Sequence, residues 1–429
     1  MRAMGDLPED FFCTRESAQA PQNPLAWRPA VGIRARLWEA AAIRYSGSVL
    51  APSSIAELAD SLREAAAAGR TISLAGNETK RRMGGPVEAA EAAISTISLR
   101  GVLQYEPRDL TVSVCAGLSW RELTSLLAQH RQMVPLDPPF GDRATVGGVI
   151  AANSSGPRRR LYGTARDFVI GMQFITLEGK LVQSGGMVVK NVAGLDMGKL
   201  MIGSFGTLAA IAVVNFKLVP TPEAEYSFLP AFDSAAEAGK ACAGILRGQL
   251  QPSAIDLLSP RAAASVGASG WTLAIRAAGN HAAVERYARE FAPLGAAPVE
   301  GAAQETLWRE IENFTPEFLR SHSDGAVVRV SCTLKDLEAV MAAFPGAAVA
   351  RAGSGVAYGY FETTAGAVEW MAQPAHRGWK AVVEFSPEAR KSELELWPSP
   401  GPDLEIMQRV KHMFDPHNLL NRGRLYRRI

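Results

Sequence analysis

The chain has 429 residues and a mass of 45.9 kDa, enough for two to four domains at roughly 100–200 residues each and for a sizeable buried core. A composition of 47% hydrophobic and 21% charged residues excludes general disorder. The formal net charge of +2 lacks the clustered basic excess that a nucleic-acid surface needs.

The first 45 or so residues read as a flexible N-terminal extension, polar and broken by Pro21, Pro24 and Pro29. Asp6, Glu9 and Asp10 stand where a signal peptide would need apolar residues. No apolar run approaches the roughly 18 residues of a membrane span. These features lead us to expect a cytoplasmic protein with no transmembrane segment.

Regular structure becomes legible at Ser54-Ile55-Ala56-Glu57, which has capping-box spacing. Ile55, Leu58, Leu62, Ala65 and Ala66 then follow helical periodicity up to a stop at Gly69. Thr71–Ala75 predicts a short strand running into Gly76–Gly85. Residues 93–99, 110–116, 146–152, 169–177 and 207–219 also read as strands. Ser119–His130 predicts a helix with Trp120, Leu123, Leu126 and Leu127 on one face. Pro220-Thr221-Pro222 marks a domain boundary.

Beyond it, helical stretches at 234–246, 282–291, 306–314 and 334–343 alternate with strands at 271–277, 326–333 and 347–351. Helices and strands of that length predict a second layered domain. A final helix is expected over Asp403–Phe414. The domains are therefore expected at 1–45 (extension), 46–222 and 223–429.

Three glycine clusters fall in the first domain: Gly76–Gly85, Pro138–Gly156, and Ser184–Asp196 with Gly203–Thr207. Glycine admits positive φ and lets main-chain N–H groups approach an anion, so such loops can line a pyrophosphate. No Rossmann Gly-x-Gly-x-x-Gly occurs there. Gly353-Ser354-Gly355-Val356-Ala357-Tyr358-Gly359 has one residue too many and reads as a β-hairpin turn. Gly194–Leu200 fails the Walker spacing.

Strand–Gly76-Asn77-Glu78-Thr79-Lys80, Pro138-Pro139 and Thr145-Val146-Gly147-Gly148 together resemble the FAD-binding domain of the vanillyl-alcohol oxidase/PCMH superfamily. Val189–Asp196, Gly156-Pro157-Arg158-Arg159, Phe414-Asp415-Pro416 and Asn421–Tyr426 are similar to the FAD-binding E-type subunits of bacterial glycolate oxidases. The resemblance covers about residues 40–429. It implies an α+β protein: a PCMH-type FAD-binding domain of two α/β subdomains, followed by a reduced FAD-linked oxidase C-terminal α+β domain. Residues 407–429 would return to the FAD domain.

The same resemblance implies non-covalent FAD. Gly76, Asn77, Glu78, Thr79 and Lys80 would form the pyrophosphate loop. Pro138, Ala144, Thr145, Gly147, Gly148, Ala151, Asn153, Ser155 and Gly156 would lie along the ribityl chain and isoalloxazine. Asn191 and Val192 would sit at the nucleotide end, with Gly206 and Asn421 close by. Two departures stand out. Glu78 would bring negative charge towards the phosphates, and no histidine is present in that loop for covalent attachment. Arg422 stands where such proteins usually carry proline.

Four cysteines (Cys13, Cys115, Cys242, Cys332) stand far apart, as expected of reduced thiols rather than iron–sulfur or zinc ligands. The six histidines show no metal-ligand spacing, so no metal is expected. Arg424 is the candidate catalytic residue, as a carboxylate clamp, with Arg158 and Arg159 as further possibilities for that role. The Arg158-Arg159-Arg160 run could equally be a solvated loop.

The resemblance implies a FAD-dependent oxidoreductase that takes part in glycolate oxidation with a D-type FAD-binding subunit and an iron–sulfur subunit. Two alternatives stay open: a self-sufficient 2-hydroxy-acid dehydrogenase and a non-catalytic FAD-carrying assembly subunit. The fold cannot separate them.

Overall fold

The computed structural model describes residues 49–86, 89–188, 195–373, 376, 378–392 and 394–429. The 1–45 extension, with Cys13, lies outside them, as do Asn191 and Val192. Three strands, β1 (Val49–Leu50), β2 (Ile72–Ala75) and β3 (Ala92–Ser95), form a parallel sheet in the order β1-β3-β2.

The helix Ile55–Ala67 covers this sheet and buries Leu58, Leu62 and Ala65. Ser54 caps it by accepting from the Glu57 N–H. The Glu57 carboxylate reaches back to the N–H and hydroxyl of Ser53 rather than to the cap itself. Gly69, at φ 65°, ends the helix.

An antiparallel sheet follows from β4 (Val102–Glu106), β5 (Thr111–Cys115), β7 (Val169–Ile175), β8 (Leu181–Gly185) and β9 (Ala210–Lys217), in the order β4-β5-β9-β7-β8. The short strands β6 (Gln132–Met133) and β10 (Val219–Pro220) pair beside it. The helix Trp120–Ala128 carries a complete capping box between Ser119 and Glu122 and buries Trp120, Leu123 and Leu127.

One expected strand is a helix. Residues Val146–Ala151 are helical, not extended. The Thr145 hydroxyl accepts the Gly148 N–H and starts the turn. Val146, Val149 and Ile150 then share the buried face at helical spacing. β-Branched residues made the run look like a strand, and the cap with its tertiary packing overrides that propensity.

The second large sheet is antiparallel and eight-stranded. Its members are β11 (Ala224–Phe228), β12 (Ala231–Phe232), β13 (Ala254–Leu258), β14 (Trp271–Gly279), β15 (Ala326–Ser331), β16 (Ala348–Arg351), β17 (Val356–Phe361) and β18 (Lys380–Phe385). They run β11-β14-β13-β16-β17-β15-β18, with β12 on β14. Gly355, at φ 64°, lies in the tight link between β16 and β17, so the glycine-rich string there is a hairpin turn.

The arginine run joins this sheet to the preceding half of the chain. Arg158 pairs with Asp137 at 2.7 Å and Glu225 at 3.4 Å, and Arg276 meets Glu225 at 2.7 Å. Although burial alone would raise its pKa, Arg158 and Arg276 hold the Asp137 carboxyl below the ordinary range. Arg160 donates to the Pro252 carbonyl. Two of the three arginines are therefore structural braces rather than a solvated loop. Arg159 contacts Ser155 at 3.4 Å.

The chain end folds back onto the beginning. The helix Asp403–Phe414 leads into a hook in which Leu420 bridges to Ile72. Among the described residues no helix is long and apolar enough to cross a membrane. Cys115 and Cys242 are buried free thiols, and burial raises both to a pKa of about 11.

Candidate functional site

A cleft of about 890 Å³, part of it open to solvent, lies between the first glycine loop, the start of helix Val146–Ala151 and the C-terminal hook. Its lining mixes apolar side chains with a few converging polar groups, as organic-ligand sites do. Gly76, Asn77, Glu78, Thr79, Lys80, Thr145, Gly147, Gly148, Ala151, Gly206, Asn421 and Arg424 all line it.

Each piece has a local cause. Gly76 sits against Thr145, where a Cβ would fall 2.2 Å from the Thr145 hydroxyl oxygen. Asn77 donates to the Arg143 carbonyl at 2.7 Å and ties the first loop to the second. Gly147 packs on Ala116, whereas a Cβ on Gly148 would meet only the Thr145 Oγ1, at 3.1 Å. The space in front of Gly148 belongs to the cleft.

Asn421 fixes the far wall. Its amide accepts from the Leu74 N–H at 2.7 Å and donates to the carbonyls of Leu74 and Phe205. Glu78, Phe205 and Asn421 all hold positive φ, between 45° and 54°. Strained backbone of this kind collects at ligand-binding walls.

The charges are arranged for an anion. The Glu78 carboxylate turns onto Arg81 at 3.1 Å, and Arg81 also meets Glu388 at 2.6 Å. The acid that looked adverse in the sequence is thus neutralised beside the cleft. Lys80 is buried at 8% exposure. Its ammonium has no hydrogen-bond partner and lies 5.9 Å from the Phe140 ring centre. Burial lowers its pKa to about 7.

Arg424 spends its guanidinium on main-chain carbonyls: Nη1 on Arg81 and Gly85, Nη2 on Lys80. It also lies over the Phe205 ring. Burial, then Arg81, lowers its pKa to about 10. Lys391 donates to the carbonyls of Arg81, Met83 and Gly85. Two buried basic side chains from the C-terminal region therefore hold the Lys80–Gly85 turn in shape.

Several expected residues lie elsewhere. Ala144 and Pro138 are buried behind the cleft wall, outside its lining. Asn153 holds φ 47° with a buried, unpartnered Oδ1. Ser155 contacts Arg159. Gly156 packs on Asp137, whose carbonyl a Cβ would meet at 2.0 Å. Asn191 and Val192 are not among the described residues.

The lining also includes Phe205, inside the Gly203–Thr207 cluster, and Leu74, Thr96, Ala209 and Ile211, which carry no motif. Only alternation along the 207–219 strand could have pointed to Ala209 and Ile211. Among the described residues, no three His, Cys, Asp or Glu side chains gather as metal ligands.

Comparison with known proteins gives this geometry its chemistry. Residues 47–185 match the FAD binding domain family, and residues 398–425 match the C-terminal domain of FAD linked oxidases. The chain is 29% identical to glycolate oxidase subunit GlcE of Escherichia coli, over 82% of its own length and 91% of that protein. It is 31% identical to glycolate oxidase subunit GlcD of Bacillus subtilis, over 37% of this chain and 33% of that one. An alkyldihydroxyacetonephosphate synthase structure shares the fold at a TM-score of 0.65 and 18% identity, covering 87% of this chain and 75% of that one.

The residues fit FAD: the cleft has open space in front of Gly148, main chain at Gly76–Lys80 and a buried Lys80 ammonium with no hydrogen-bond partner beside it. The chain is an FAD-dependent oxidoreductase with a PCMH-type FAD-binding domain and an FAD-linked oxidase C-terminal segment, similar over most of its length to glycolate oxidase subunit GlcE of Escherichia coli.

Proposed function

We propose that the chain is the FAD-carrying subunit of a glycolate oxidase-type complex, taking part in 2-hydroxy-acid oxidation and electron transfer. The observation that carries this is its similarity to subunit GlcE along 91% of that protein. Bound FAD supplies a hydride acceptor and an electron relay.

The chain's own residues bind and orient it. Main-chain groups of Gly76–Lys80 face the pyrophosphate, Thr145, Gly147, Gly148 and Ala151 border the ribityl and ring portion, and Gly206 with Asn421 close the far side. Arg424 is a brace of this site, because its guanidinium is already engaged by carbonyls of the Lys80–Gly85 turn. Oxidation of glycolate then falls to a D-type flavoprotein partner. An iron–sulfur subunit takes the electrons onward, with the complex on the cytoplasmic side, at the inner face of the membrane.

Anaerobic mixing with glycolate tests the division of labour. The isolated chain should keep its flavin oxidised, while the complex with D-type and iron–sulfur subunits should bleach. Rapid reduction in the isolated chain would make it a self-sufficient dehydrogenase instead. Acid precipitation should release the flavin into the supernatant, because no His, Cys or Tyr is among the described residues lining the cleft. Flavin retained in the pellet would contradict non-covalent binding.

A further inference from the structure

The first glycine loop has two faces. Gly76–Arg81 line the cleft, whereas the next three residues stand outside that lining and against the second domain. Met83 bridges antiparallel to Phe385. The Gly84 N–H donates to the Glu384 carbonyl, and the Ser386 N–H to the Arg82 carbonyl, each at 3.0 Å. β18 ends the strand order of the eight-stranded sheet. Arg82–Gly84 therefore cover its open edge as a short extra rung.

The Arg82 side chain makes a second tie. Nη1 donates to the carbonyls of Leu319, at 2.9 Å, and His322, at 3.3 Å, and Nη2 donates to that of Gly325. These acceptors close the C-terminal end of the helix Phe314–Ser321, where orphan carbonyls and the helix dipole favour a cation. Arg81 adds an ion pair to Glu388 at 2.6 Å. Met83 is buried in a core common to both domains: Ala152 and Phe205, which line the cleft, pack there with Val327 and Phe385.

No hinge separates the two faces. Arg81 borders the cleft, and Arg82 is already on the second domain. Lys391 and Arg424 hold the carbonyls of the turn between them. Opening the loop thus pulls a rung from β18, and lifting the second domain drags the cleft wall. Sites joined through one such element are coupled, and the coupling is reciprocal.

We propose that the second domain is a clasp for the cofactor, with Arg82 as the positioning residue: flavin retention and the seating of the β11–β18 sheet on the first domain form one coupled equilibrium. This rests on FAD being the occupant of the cleft. A subunit that binds the seated second domain tightens FAD by the same factor that FAD tightens that subunit.

Hydrogen exchange on the parent protein, with its flavin and after stripping, tests the coupling without any variant. FAD should slow exchange over residues 380–386 and 314–325 as well as over 76–84. Arg82→Met should bind FAD roughly 10-fold more weakly, within the range of about 5- to 150-fold usual for coupled sites, and lose the flavin-dependent protection at 380–386. Arg82→Lys, which keeps the charge but not the fork, should recover part of the affinity. Leu273→Ala is the control: Leu273 is fully buried in the second domain's other core, so the melting temperature should fall while the FAD dissociation constant stays. Flavin-dependent protection confined to 76–81 would overturn the inference. So would an Arg82→Met protein that binds FAD like the parent, or a Leu273→Ala protein that loses FAD to the same extent as Arg82→Met. Parent protein that binds no FAD at all would instead remove the cofactor assignment, and the clasp with it.

Discussion

Lys411→Met should cost about 3–5 kcal/mol of stability and empty the cleft of flavin, although Lys411 does not line it. Lys411 is 4% exposed, and its ammonium donates to the Asp415 carboxylate at 2.6 Å and to the carbonyls of Thr207 and Leu420. Asp415 in turn accepts the N–H groups of Leu419 and Leu420. Removing one partner leaves a buried, uncompensated carboxylate, which is the expensive way to break an ion pair.

The hook held by that pair delivers Leu420 to β2 and Asn421 to Leu74 and Phe205. Stability and cofactor retention should therefore fall together. Denaturant unfolding followed by tryptophan fluorescence, with flavin content measured on the same sample, checks both. A variant within about 1 kcal/mol of the parent and still yellow would show that the hook is held by other contacts.

Gly148→Val should lower FAD occupancy sharply while sparing the fold. A Cβ there meets only the Thr145 Oγ1 at 3.1 Å, so the added methyl groups enter the cleft. Losing a ligand present at 100 times its dissociation constant removes about 2.7 kcal/mol of apparent stability. The apoprotein's own unfolding should change little. Gly147→Val is the contrast: its Cβ would fall 2.8 Å from that of Ala116, so the apoprotein itself should be destabilised. Unchanged flavin content and melting temperature in Gly148→Val would remove Gly148 from the site.

The cleft lining was legible wherever backbone demanded it. Gly76, Gly147 and Gly206 are glycines because a side chain would meet Thr145, Ala116 or Asn421 within 3 Å, and such requirements leave a visible motif. Pro138, Ala144 and Gly156 belong to the same motifs yet lie outside the lining, because a motif records what shapes a loop as well as what faces the ligand. Gly156 serves Asp137 and the bracing arginine pair.

Amphipathic helices and strands were determined by the sequence itself, since caps and periodicity act within one or two turns: Ser54, Ser119 and the pattern over Asp403–Phe414 are sufficient locally. Packing, acting with the Thr145 cap, decided that Val146–Ala151 coils, because its apolar side chains are satisfied by a buried helix face and not by a sheet. It also decided the fate of the charges. Arg158 and Arg424 have the chemistry of carboxylate clamps in any sequence, and Glu78 that of a repulsive neighbour. Whether a charge is free for a ligand depends on which distant carbonyl or carboxylate reaches it first: Asp137 for Arg158, the Lys80–Gly85 turn for Arg424, Arg81 for Glu78. Lys80 is the one to which none of them comes among the described residues, and that can be seen only once the chain is folded.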